Sequence, residues 1–106
     1  MLDPINWEAA TDEAVNNLIR LIQVESVNPP GNEEPAVLLV KEILEREGFP
    51  GEAITIVEAA PKRANLVARL RGDGSQRPLM LSGHVDVVPV ECEHWSRDPF
   101  GGEVHN

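Results

Sequence analysis

The apolar residues of this 106-residue chain change their spacing once, and that change limits what the chain can fold into. Up to Phe49, Pro50 and Gly51 they recur every three or four positions, and beyond them every second position. Val15, Leu18, Ile19 and Ile22 share one face of a helix predicted over residues 12–24. Thr11 is a candidate N-cap, with Asp12 and Glu13 in the first turn where the helix dipole favours negative charge, and Asn6 would cap an earlier start. Residues 26–31, Ser-Val-Asn-Pro-Pro-Gly, end the helix, because Pro29 and Pro30 lack an amide donor and hold the residues before them out of the helical region. They read as a structured loop. A second helix is predicted over 33–47, with Asn32 as cap, Pro35 in the first turn and Gly48 as the stop. Leu39, Val40, Ile43 and Leu44 supply its buried stripe.

The period-2 region predicts strands over 53–57, where Ile54 and Ile56 alternate with Thr55, and over 65–71, where Leu66, Ala68 and Leu70 alternate with Val67 and Arg69. Gly72, Asp73, Gly74 and Ser75 then form a turn-rich connection. Leu79, Met80 and Leu81 follow as an apolar run without alternation, the pattern of a strand covered on both faces, so a third strand over 78–84 is expected in the interior of the sheet. Two helices followed by strands make the fold class α/β, with layered helices on a mixed sheet. Three strands and two helices do not cover both faces of such a sheet. The expectation is therefore that residues 1–106 are one piece of a larger domain.

Composition narrows the function. Apolar residues at 42% and charged residues at 25% exclude a disordered tail or a coiled-coil rod. Nine basic against 18 acidic residues leave a net charge of −9, which repels phosphate backbones and anionic membranes, so neither nucleic acid nor membrane is an expected partner. The lone Cys92 forms no internal disulfide, and the amino terminus has neither a basic nor an apolar leader pattern, which makes the cytoplasm the expected location.

Ser82, Gly83, His84, Val85 and Asp86 continue directly from the predicted third strand. His84 and Asp86, two apart on a strand end, send their side chains to the same face, toward the crevice outside the sheet where ligand sites concentrate. That geometry suits a metal site, since imidazole is a common zinc ligand and a carboxylate beside it can hold the other ring nitrogen. A bare His-x-Asp is more often a hydrogen-bonded histidine next to a turn cap, so spacing alone does not assign the site.

The surroundings do more. Leu-Ser-Gly-His-Val-Asp-Val-Val-Pro at 81–89 resembles the first metal-ligand motif of the zinc-dependent amidohydrolase and exopeptidase family, which includes aminoacylases, acetylornithine deacetylase, succinyl-diaminopimelate desuccinylase and glutamate carboxypeptidase. Residues 26–31, Asn-Leu-Val-Ala-Arg-Leu at 65–70, and Trp95, Asp98, Pro99 and Phe100 occur in the family's order, so the resemblance covers nearly the whole chain. It implies the amino-terminal portion of a di-zinc exopeptidase-like catalytic domain, with two zinc ions about a shared water, His84 a ligand of one ion and Asp86 the carboxylate that orients it. It also implies hydrolysis of the amide bond of an N-acyl amino acid or small peptide. The family's next motif, Gly-Arg-Gly and a bridging aspartate, is expected just beyond Asn106, and the paired glutamates, the remaining acidic ligand, the last histidine and the smaller dimerisation domain are likewise not in this sequence. The 106 residues alone are accordingly expected to be inactive.

Other residues carry blander readings. Cys92 and His94 lie in an acidic loop without the second pair a zinc signature needs, and His105 is expected to be solvent-exposed. Trp95 and Phe100 either line a substrate pocket or anchor their loop, and Glu42, Glu45 and Glu47 form a solvated helix face partly paired with Lys41 and Arg46. The alternative to a hydrolase fragment is a non-catalytic binding or assembly module that keeps part of the fold. The uncovered third strand leads us to expect the isolated 106 residues to form a homo-oligomer, a dimer or higher.

Overall fold

The computed structural model describes residues 3–106, which divide into two compact units: one of residues up to Glu25 together with Val90–Asn106, the other Ser26–Pro89. Among the described residues no helix is long and apolar enough to cross a membrane.

In the first unit, helix α1 spans Trp7–Ile22 and so begins ahead of the expected residue 12. Asn6 is the cap, its side chain accepting the amide of Ala9 at 3.1 Å, while the Thr11 hydroxyl turns back onto the Trp7 carbonyl at 2.8 Å inside the helix. A second segment from the far end of the chain packs on this helix. The Gln23 amide nitrogen donates to the Gly101 carbonyl at 3.1 Å, and Gly102, at φ +67, approaches so closely that a Cβ there would sit 3.0 Å from the Ile19 methyl group. Only glycine combines that backbone conformation with that approach.

In the second unit, α2 spans Glu34–Arg46 with Pro35 in its first turn; Glu33, one residue after the expected Asn32, is the cap and makes no side-chain capping bond. Strand β1, Ile54–Ala60, and strand β2, Arg63–Ala68, form a two-stranded antiparallel sheet joined by a tight turn at Pro61 and Lys62, the latter at φ +64. Ile54 faces Ala68 and Ile56 faces Leu66, so the alternating residues meet across the strands on one face. Helix α2 packs against β2 on that sheet, and Ala36, Val37, Ile54 and Ala64 are the buried apolar residues. The stripe from Leu39 to Leu44 is only half-buried.

The third strand does not form, and the mixed sheet expected around it is replaced by the two-stranded hairpin. Residues 78–84 are irregular, and Leu79, Met80 and Leu81 are 84%, 85% and 88% exposed. The physical reason is hydrogen bonding. An interior strand needs a paired backbone on each side, and among the described residues β1 and β2 pair with each other while nothing pairs with 78–84. An apolar run states that a segment suits burial; it does not supply the neighbours that bury it.

Candidate functional site

His84 and Asp86 therefore do not meet on a strand end, and yet they meet. The loop at 26–28 takes the place of a neighbouring strand. Val27 and Val87 form a single parallel bridge, in which the Asn28 amide donates to the Val87 carbonyl at 2.8 Å and the Val87 amide donates to the Ser26 carbonyl at 3.0 Å. The Ser26 hydroxyl, in a residue only 3% exposed, donates to the Val85 carbonyl at 2.5 Å. Pro29 and Pro30 make this arrangement local. Neither can donate an amide, and residues 28–30 form a turn in which the Gly31 amide donates to the Val27 carbonyl at 2.9 Å, which leaves the amide of Asn28 and the carbonyl of Ser26 for another segment. Three such bonds are worth about 0.5–1.5 kcal/mol each and hold 85–87 in register without a sheet.

Asp86 is the hub. Its Oδ2 accepts from the Asn28 side-chain amide at 3.0 Å, and its Oδ1 accepts from His84 Nδ1 at 2.9 Å. The Asp86 carbonyl lies at the same 2.9 Å from Nδ1. Both oxygens are acceptors, so the shared hydrogen sits on Nδ1 and the neutral ring keeps its lone pair on Nε2. The His84 side chain is 86% exposed, which leaves that lone pair open to a ligand. These bonds, Asn28 first and His84 second, hold the Asp86 carboxyl below its ordinary value of 3.8.

A carboxyl whose pKa is lowered on folding contributes stability above its ordinary value and loses it as pH falls through the lowered one. Asn28→Ala removes the larger cause. The variant is expected to unfold at lower denaturant than the parent near neutral pH and to converge with it well below pH 4, as chemical denaturation across pH reads directly. A destabilisation equal at pH 7 and pH 3 would show that Asn28 acts through packing alone.

His84, Asp86 and Ser82 line an open cleft of about 840 Å³ with Glu33, Arg63, Asn65 and the apolar side chains Val37 and Val40. Arg63 Nε donates to Glu33 Oε2 at 2.6 Å, and Glu33 is 6% exposed. Among the described residues no three His, Cys, Asp or Glu side chains converge closely enough to hold a metal ion. By donor chemistry His84 fits zinc as a neutral imidazole with its tautomer held, one of the three or four donors such a site uses.

The remaining candidates lie in the first unit. His94 pairs with Glu91 at 2.7 Å and His105 lies against Glu103 at 3.0 Å and Arg97, while Cys92 is exposed. Trp95, half exposed, shares a hollow with Val15, Leu18 and Ile22 of α1. Reading the sequence left Ser26, Asn28, Glu33 and Arg63 without roles. The first two carried a signal in the collinear 26–31 motif, whereas nothing in local spacing ties Glu33 to Arg63, 30 residues apart.

The chain is similar to proteins named succinyl-diaminopimelate desuccinylase. With one from Cereibacter sphaeroides it is 39% identical over 85 residues, covering 79% of this chain and 21% of that protein. With one from Xanthobacter autotrophicus it is 37% identical over 87 residues, covering 81% of this chain and 22% of that protein. The match thus spans about a fifth of the length of these relatives. No family model and no solved structure matches the chain.

Proposed function

We propose, because this chain matches the amino-terminal part of the zinc-dependent amidohydrolase and exopeptidase family to which the succinyl-diaminopimelate desuccinylases belong, that the protein takes part in hydrolysis of the amide bond of an N-acyl amino acid, with N-succinyl amino acids as the leading substrates. The observation that carries the reading is the held imidazole: His84 Nδ1 bound to Asp86, Asp86 bound to Asn28, and Nε2 left open at a cleft.

Zinc, when bound, supplies Lewis acidity, which polarises an amide carbonyl and makes water a nucleophile near neutral pH. The chain's own residues prepare for it. His84 offers Nε2 as a donor, and Asp86 fixes the ring's tautomer and orientation by accepting the hydrogen bond from Nδ1. Asn28 prevents the carboxylate from rotating away, and the bridge between Val27 and Val87 holds all three on one short backbone frame. The further donors and the general base of such a reaction are proposed to lie in the rest of a longer polypeptide.

Assaying the full-length protein on N-succinyl and N-acetyl amino acids, before and after chelation and zinc readdition, tests this. Hydrolysis that chelation abolishes and zinc restores is the expected result, with none from the 106 residues expressed alone. If the full-length protein hydrolyses neither substrate class at any zinc concentration, the reading fails in favour of a binding or assembly module.

A further inference from the structure

We propose that Arg63 binds a carboxylate of the substrate in this cleft, with Glu33 as the positioning residue that aims it; the inference rests on the hydrolase reading and deepens it by naming the group that selects an anionic substrate. Arg63 is the one lysine or arginine among the residues lining the cleft that also holds Ser82, His84 and Asp86. A chain with a net charge of −9 repels a dianionic ligand, so binding one calls for a cation fixed at the site.

The guanidinium is built for a single orientation. Its Nε donates to Glu33 Oε2 at 2.6 Å, and the Glu33 side chain is 8% exposed while that of Arg63 is 39% exposed. A guanidinium presents two hydrogen-bonding edges, and engaging Nε leaves the edge of the two terminal nitrogens for a planar, two-point partner such as a carboxylate. Gly31 makes room for it. Gly31 sits at φ +91, and a Cβ on it would come within 2.7 Å of Arg63 Cζ and Nε, so a side chain there would push the guanidinium off its present position. A plain tie between β2 and the start of α2 explains the Glu33 contact, but it leaves unused that Arg63 also lines the cleft that holds His84.

The test uses the full-length protein with Arg63→Lys, which keeps the charge and loses the two-point edge, and Arg63→Met, which loses both. With charge-assisted bonds at stake, KM for an N-succinyl amino acid should rise by about 10–100-fold, with kcat nearly unchanged. KM for the N-butyryl analogue, which lacks the acyl carboxylate, should not move. If instead the succinyl and butyryl substrates respond equally and amidating the amino-acid carboxylate abolishes the effect, Arg63 holds that carboxylate. Succinate binding by calorimetry is a readout independent of turnover. Slowed dicarbonyl modification of Arg63 in the presence of succinate needs no variant at all. Folded variants with unchanged KM and succinate affinity, or modification of Arg63 that succinate leaves untouched, overturn the proposal and leave hydrolysis by the protein intact. Succinate protection of Arg63 in a protein without turnover would retain the anion site and remove the hydrolase reading instead.

Discussion

Replacing His84 with Ala in the full-length protein is expected to remove zinc from the site and lower turnover by more than about 100-fold, because no other imidazole lines the cleft to take over its Nε2. Asp86→Asn is the finer test. The substituted side chain still offers an oxygen to Nδ1, but without the negative charge that strengthens that hydrogen bond, and losses of this kind run at about 10–100-fold in metal affinity or activity. Zinc content by elemental analysis and kcat on an N-succinyl substrate should therefore rank the parent above Asp86→Asn, and Asp86→Asn above His84→Ala. Parental zinc content and turnover in His84→Ala would remove His84 from the metal site.

The 106 residues expressed by themselves are expected to associate. Leu79, Met80 and Leu81 stand almost wholly in water, and covering each recovers about 1.5–3 kcal/mol, counted twice when two copies meet symmetrically. The outer edges of β1 and β2 add unpaired amides and carbonyls. The acidic surface opposes close approach, so association should strengthen as salt screens it. Sedimentation at micromolar concentration should give at least twice the chain mass, and the double variant Leu79→Glu, Leu81→Glu should return it to the mass of one chain. A folded parent that stays monomeric in high salt would show that these side chains do not draw copies together.

The two helices and the hairpin strands could be read from the amino acids alone, because each depends on neighbours within a few positions, whereas His84 and Asp86 were singled out by the resemblance of residues 81–89 to a family motif and not by their spacing. Helical spacing places Val15, Leu18, Ile19 and Ile22 on one face whatever surrounds them, and alternation does the same for Ile54, Ile56, Leu66 and Ala68. The cap of α1 was open between Thr11 and Asn6, and a single hydrogen bond to the Ala9 amide decided it. Tertiary structure decided what needed distant partners. Whether 78–84 becomes a strand depends on a second backbone beside it, and the apolar character of Leu79, Met80 and Leu81 carries no information about whether one is present. The same dependence worked in the opposite direction at the site. His84 and Asp86 were expected to converge through strand alternation, but their geometry comes from Ser26, Val27 and Asn28, some 60 residues earlier, whose backbone and side chains supply the hydrogen bonds that a neighbouring strand would otherwise have given.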